Sequence, residues 1–340
     1  MRAINAAIIG CGAIHICHVE ALRQTPGAYL HAIVDTDIVK GQALAAAYGC
    51  DVYQDYREML QDQRIEVVHI CTPHYLHKTM ILDALAAGKA VFSEKPVGMN
   101  SLEVADIADA ASRAPGVLGV CYQNRFNPTS QAIRDVLASN VLGKMLSIKA
   151  ALTWSRSGGY YTESPWRGRF ATEGGSLLIN QAIHTLDLMQ WFADGVDSVK
   201  GVVDSGPLAG TIETEDSAMA TLVLHNGARG LFWATNNHTT DSPLLLEIHC
   251  EKGLLQLRDN TLWQISGNER IALANDNPPT GNGKNYWGIG HQKAIEQFYQ
   301  AIQHGGDSDY ININQAAKSI HIVEAIYRSS QLRQWINITR

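Results

Sequence analysis

The sequence predicts an α/β protein in two parts: a doubly wound parallel sheet, then an α/β region with a mostly antiparallel sheet. Two observations carry this. Up to about Gln123, short apolar runs alternate with segments of helical spacing, and strands that are apolar nearly throughout belong to parallel sheets covered on both faces. Further on, short strands are separated by turn residues such as Asn226-Gly227 and Lys252-Gly253, as in hairpins.

In order, the strands of the first part are Asn5 to Ile9, Tyr29 to Val34, Val67 to Cys71, Ala90 to Phe92 and Val117 to Cys121. Helices are expected over Ile14 to Gln24, Ile38 to Tyr48, Lys78 to Ala87 and Leu102 to Ala114, with Gly88, Pro115 and Gly116 as stops. The second part opens with a helix over Pro128 to Ala138 and a strand over Leu146 to Trp154, then a loop rich in Gly, Tyr and Arg and a helix over Ser176 to Phe192. Strands follow at Ser198 to Val203, Asp216 to Leu224, Ala228 to Asn236, Leu244 to Cys250, Gly253 to Arg258 and Thr261 to Ile265. A loop over Asn275 to Gly283 and helices at Gly290 to Gln303 and Asn314 to Ser330 close the chain. The expected domains are residues 1–123 and 124–340, with the C-terminal helices able to pack back on the first.

Composition narrows the function. A chain of 340 residues, 46% apolar and 18% charged with net charge -6, has the make-up of a folded globular protein. Scattered charges of both signs offer nothing to nucleic acid, and no apolar stretch approaches the ~20 residues that span a bilayer. The start reads as a strand feeding a glycine turn rather than a leader, so a cytoplasmic protein is expected. The six cysteines have no C-x-x-C spacing and are expected to be reduced and structural.

Gly10-Cys11-Gly12-Ala13-Ile14-His15 follows a strand and opens a helix. Gly10 permits a tight turn, and Gly12 lets the backbone approach a pyrophosphate at the helix N-terminus. The third glycine of the G-x-G-x-x-G pattern is replaced by His15. Asp35, 23 residues after Gly12, ends the next strand, where its carboxylate can accept from ribose hydroxyls. No Arg or Lys stands among Thr36, Asp37 and Ile38 to hold a 2′-phosphate, so NAD is expected over NADP. Cys71-Thr72-Pro73-His74 ends another strand beside the same crevice. The spacing of His74 and His77 lacks further metal-ligand partners, and no metal is expected.

Glu94-Lys95-Pro96 puts a lysine at a strand end facing that crevice. On the later helix Asn180, His184 and Asp187 are spaced four and three apart, a polar stripe on an otherwise apolar helix. A satisfied core network would produce the same stripe. Trp154, Arg156, Tyr160, Tyr161, Trp166, Arg167 and Arg169 crowd the loop before it, and rings beside polar groups suit a sugar.

These motifs, with Tyr122-Gln123-Asn124-Arg125-Phe126-Asn127-Pro128, resemble the Gfo/Idh/MocA oxidoreductase family, which includes inositol and glucose-fructose dehydrogenases. The resemblance covers essentially the whole chain. It implies an N-terminal Rossmann domain binding NAD and a C-terminal α/β domain with a large, open, mostly antiparallel sheet that packs against another subunit, as in a dimer or tetramer. It implies hydride transfer between a secondary alcohol of a sugar, sugar acid or cyclitol and nicotinamide, with Lys95 and His184 handling the alcohol proton. Asp187 would orient His184, and Asn180, Tyr122, Arg125, Tyr161, Trp166 and Arg167 would bind substrate. The cofactor set extends from Gly10, Gly12, Asp35, Thr72, Pro73 and His74 to Ala13, Ile14, His77, Glu94, Lys95 and Gln123. Tyr286, Trp287 and His291 would close the pocket. Many members carry aspartate where this chain has Asn180, which binds hydroxyls but carries no proton. Two other functions fit the same architecture: a non-catalytic NAD-binding sensor or regulator, and an NAD-retaining glycosidase acting by transient oxidation and elimination.

Overall fold

A computed structural model of the chain describes residues 2–276, 289–305 and 308–338. It forms two compact units, one made of the chain up to Gln123 with Gly290–Ala317, the other of the chain from Asn124 with Lys318 onward. The segment 290–317 thus clusters with the N-terminal unit.

In the first unit the strands are β1 (Ile4–Ile9), β2 (Ala28–Val34), β3 (Asp51–Tyr53), β4 (Val67–Ile70), β5 (Ala90–Glu94) and β6 (Leu118–Cys121). They form one parallel sheet in the order β3-β2-β1-β4-β5-β6. Ile4, Ile8, Ile33, Val67, Val68, Ile70 and Val91 are completely buried, as the near-continuous apolar runs predict. The crossover helices are α1 (His15–Gln24), α2 (Ile38–Tyr48), α3 (Tyr56–Leu60), α4 (His74–Ala86) and α5 (Ser101–Arg113). Their starts have local causes: the Asp37 side chain caps α2 by accepting from Lys40 N, and Asn100 caps α5 by accepting from Glu103 N. The short β3 and α3 carry too few residues for a periodic signal and escape the sequence reading. Helix α4 begins at His74 rather than Lys78, because Pro73 occupies its cap position.

The second unit contains α6 (Pro128–Ser139), β7 (Met145–Thr153), α7 (Gly158–Thr162), a π-helical turn (Leu177–Gln181) and α8 (Ile183–Phe192). Strands β8 (Val196–Asp204), β9 (Ser217–Leu224), β10 (Arg229–Thr235), β11 (Leu245–Cys250), β12 (Gly253–Arg258), β13 (Thr261–Ser266) and β14 (Glu269–Asn275) follow. After α9 (His291–His304), which lies in the first unit and packs on α1, comes α10 (Ile313–Leu332), whose later part belongs to the second unit along with β15 (Ile336–Asn337). The nine-stranded sheet runs β14-β13-β12-β11-β7-β10-β9-β8-β15, antiparallel except for the pair β7 and β10. One face is core: Ala218, Ala220, Leu222, Phe232 and Ala234 are buried, and the π-turn packs on β9 and β10. On the other face Val202, Met219 and Trp233 are exposed and stand in one cross-strand row, Val202 opposite Met219 and Met219 opposite Trp233. Among the described residues no helix is long and apolar enough to cross a membrane.

The single helix expected over Ser176 to Phe192 is two pieces. Residues 177–181 are π-wound, closed by Ala182 N donating to Leu177 O at 2.8 Å, and α8 starts only at Ile183. A π-turn inserts a residue into the helical repeat, which sequence periodicity does not reveal.

Candidate functional site

In the first unit the glycine turn links β1 to α1. Gly10 has φ +91°, its N–H donates to Val34 O at 2.8 Å, and a Cβ there would lie 2.7 Å from the Cys71 carbonyl oxygen. Only glycine fits. At Gly12 a Cβ would meet nothing within 4 Å, and Gly12 and Ala13 are exposed, so the backbone is open to a ligand. Ile14 at the cap of α1 offers no side-chain acceptor to the first-turn amides. These residues fit a dinucleotide: an open glycine turn, a helix start, and the nearby Asp35 carboxylate. His15, where the third glycine is missing, has Nδ1 2.5 Å from Gly12 O and Nε2 3.0 Å from Tyr48 OH.

Asp35 ties the turn to β2. Its Oδ2 accepts from Cys11 N at 2.9 Å and its Oδ1 from Asp37 N at 2.9 Å. Lys40 Nζ lies 3.6 Å from Asp35, a cation that the first turn of α2 brings back beside the strand end and that lies beyond Thr36, Asp37 and Ile38 in sequence.

At the end of β5 the structure separates two neighbours. From Lys89 to Gly98, Lys95 alone is partly exposed, while Glu94 is buried. Glu94 was expected at the cofactor, but it faces inward, at the end of a hydrogen-bonded chain. Burial pulls His69 well below its ordinary pKa, so the ring is neutral, and burial holds Tyr299 protonated. Tyr299 OH lies 3.0 Å from His69 Nε2, His69 Nδ1 lies 2.9 Å from His18 Nδ1, and His18 Nε2–H donates to Glu94 Oε1 at 3.0 Å. Burial opposes the Glu94 charge, yet the His18 hydrogen bond and the nearby Lys95 charge hold its carboxyl well below the usual range. His69 and Tyr299 lie 230 residues apart, beyond the reach of any motif.

Thr72 and Pro73 are partly exposed, but His74 and His77 are buried. His77, expected at the cofactor, has Nδ1 2.7 Å from Pro96 O and Nε2 2.8 Å from Thr72 O, so its ring braces the segment after Lys95 against the turn after β4. Tyr122 and Gln123 are buried, with Cys121 Sγ donating to Gln123 Oε1. His291, expected at the mouth of a pocket, is buried with Nε2 4.0 Å from Glu94 Oε1. Tyr286 and Trp287 lie outside the described residues.

In the second unit, from Gly175 to Gln190, Asn180 and His184 alone are partly exposed; every other side chain is buried. Asn180 stands on the π-turn and His184 in the first turn of α8. Asp187 was expected to orient His184, but its carboxylate is engaged with Arg125 (2.7 and 2.6 Å), Ser319 (2.8 Å) and Gln190 (3.2 Å). A buried carboxylate needs a cation, and Arg125 is drawn in to supply it. Arg125, expected at the substrate, is consequently buried in this pair and sits 5.4 Å from the Trp191 ring.

Tyr161, also expected at the substrate, packs into a core with Leu208 and Ile212, its hydroxyl accepting from Asn236. Trp166 and Arg167 remain partly exposed; the Arg167 guanidinium lies 4.1 Å over the Tyr160 ring and 5.2 Å from that of Trp166. Arg156 pairs with Asp241 and Arg169 with Glu213. Two buried carboxyls escaped the sequence reading. Glu215 accepts from Leu178 N (2.8 Å) and Tyr327 OH (2.6 Å), and Glu173 accepts from Asn180 Nδ2 (2.6 Å). A glutamate beside the Gly174-Gly175 turn was the available signal for Glu173.

Comparison with known proteins follows the same division. A model described as an oxidoreductase family with NAD-binding Rossmann fold matches residues 4–122, and the GFO/IDH/MocA C-terminal domain matches residues 130–256. D-glucoside 3-dehydrogenase of Escherichia coli is 30% identical across 68% of this chain and 69% of its own length. The oxidoreductase YrbE of Bacillus subtilis is 31% identical, and the match spans 67% of this chain and 65% of YrbE. A solved structure of levoglucosan dehydrogenase in complex with NADH and levoglucosan shares the fold, with TM-score 0.88 at 22% identity over 100% of both chains.

Proposed function

The chain belongs to the Gfo/Idh/MocA oxidoreductase family, and on that premise we propose that it transfers a hydride between a secondary alcohol of a sugar, sugar acid or cyclitol and the nicotinamide. It is an oxidoreductase whose first domain is an NAD-binding Rossmann fold. The observation that carries the reading is selective exposure: Lys95 alone emerges from the segment around the end of β5, and Asn180 and His184 alone from the buried stretch around the π-turn.

NAD, held at Gly10, Gly12, Ala13, Ile14, Asp35 and the Thr72-Pro73 turn, supplies the hydride acceptor when bound. This chain's residues manage the proton and the charge. His184 takes the hydroxyl proton, the general-base task to which an imidazole is suited. The Lys95 ammonium donates to the same oxygen and stabilises negative charge as it develops, an effect worth ~3 kcal/mol for a positioned donor. Asn180 binds a substrate hydroxyl, and the stacked Trp166, Arg167 and Tyr160 offer flat apolar and cationic surface to a sugar ring. The names of the glucoside and levoglucosan relatives support a sugar as substrate. Asp187, Arg125, Tyr161, Glu94 and His77 support the site from behind rather than touching ligand. The second domain binds substrate, and a second copy of the chain covers the exposed Val202, Met219 and Trp233 row. All six cysteines are unbridged, in keeping with a cytoplasmic enzyme.

The test is a screen of polyols, aldoses, uronates and nucleotide sugars for NADH formation. At least one is expected to be oxidised. NAD binding without turnover of any would favour a sensor, and product without net NADH would favour glycoside cleavage by transient oxidation.

A further inference from the structure

Asn180 carries no proton to exchange, and the structure puts an ionisable group directly behind it. Glu173 is completely buried, and both of its oxygens are acceptors: Oε1 takes Asn180 Nδ2–H at 2.6 Å and Oε2 takes Gly168 N–H at 2.5 Å. Asn180 is partly exposed, so it stands between this carboxyl and whatever enters from solvent. An aspartate at 180 would set two carboxylates against each other at that distance; the carboxamide lets the pair form.

We propose that Glu173 is a positioning residue of the sugar site, its carboxylate holding the Asn180 amide with nitrogen inward and oxygen turned to accept from a substrate hydroxyl. The proposal rests on the dehydrogenase reading above. Protonation reverses the arrangement. A protonated Glu173 has an O–H to donate, and Asn180 satisfies it by turning its oxygen inward. The substrate then meets an NH₂ donor in place of an acceptor, so one proton on Glu173 inverts the polarity of the contact Asn180 offers.

The groups facing Glu173 set where this occurs. Burial is the largest influence and pushes the carboxyl up to about 7; the Gly168 and Asn180 hydrogen bonds and the Arg167 charge work against it, and buried Glu215 adds to it. The Tyr161 and Tyr327 hydroxyls lie within electrostatic reach, and burial holds both protonated.

The experiment uses the full-length protein saturated with NAD and a sugar identified by the screen, and measures KM and kcat on both sides of pH 7 for wild type, Glu173→Gln, Glu173→Asp and Asn180→Ala. In wild type, KM for the sugar is expected to rise about tenfold as pH falls through the Glu173 transition, the effect of one mismatched hydrogen bond. Glu173→Gln is expected to lose that dependence, and Asn180→Ala to lose it while raising KM throughout. Glu173→Asp keeps a carboxyl and retains a pH-dependent KM, which decides the matter should the Gln variant fail to fold. NAD affinity stays unchanged in all. A KM–pH profile in Glu173→Gln or Asn180→Ala identical to wild type, or none in wild type, overturns the proposal and leaves the dehydrogenase reading standing. A chain that oxidises no sugar overturns both.

Discussion

Arg125 grips Asp187 through two parallel hydrogen bonds, Nε to Oδ2 at 2.7 Å and Nη2 to Oδ1 at 2.6 Å, with both side chains buried. Removing one partner leaves the other as an uncompensated buried charge, so Asp187→Ala is expected to cost about 3–5 kcal/mol. The double variant Arg125→Met with Asp187→Leu should recover much of that loss. Urea unfolding measures both; an Asp187→Ala protein as stable as wild type would mean that the pair carries no structural load.

Asp35 is held between Cys11 N and Asp37 N and accompanied by Lys40 at 3.6 Å. Asp35→Ala is expected to weaken NAD about tenfold, the loss of hydrogen bonds to a charged acceptor. It should also narrow the preference against NADP, because Lys40 then faces a 2′-phosphate without a competing carboxylate. Calorimetric titration with both cofactors checks this, and an unchanged affinity ratio would contradict the role given to Asp35.

Acid should unfold the protein by way of its buried histidines. Burial pulls His291 from 6.5 down to about 4, and His69 and His77 are lowered by the same cause. A lowered pKa means that the unfolded chain takes up protons first: the stability from His291 is complete above 6.5 and is lost as pH falls toward 4. The loss is on the order of 3 kcal/mol. Glu94, also lowered, adds a further loss below its ordinary 4.5. Unfolding at neutral pH and in mild acid should show a smaller difference for His291→Gln than for wild type. Equal differences would place the acid sensitivity elsewhere.

Val202, Met219 and Trp233 form an exposed apolar row on β8, β9 and β10, and Leu231 is exposed on the same face of β10. Arginine at Met219 and Leu231 is expected to yield smaller particles in sedimentation velocity, with NAD affinity kept. Unchanged sedimentation would remove this face as the contact between copies.

Much of the fold was legible in the sequence because the first unit rests on local patterns: apolar runs buried on both faces, and a turn where Gly10 cannot carry a side chain. The sheet of the second unit was read from alternation and turn residues. What escaped depends on burial and distant contacts. Nothing local distinguishes Glu94, which turns inward to His18, from Lys95, which emerges. The charge on Asp187 pointed to function when its partner is Arg125, 62 residues away. The π-turn hid that Asn180 belongs with Glu173, because an inserted residue changes which side chains share a face.

The most direct measurement compares turnover and NAD affinity in wild type, Lys95→Ala and His184→Ala on the first sugar found to be oxidised. Both variants are expected to bind NAD as wild type does while kcat falls ~10²–10⁴-fold for His184→Ala and by at least ~10²-fold for Lys95→Ala. Turnover at the wild-type rate in either folded variant would contradict the claim that ammonium and imidazole act together on the alcohol.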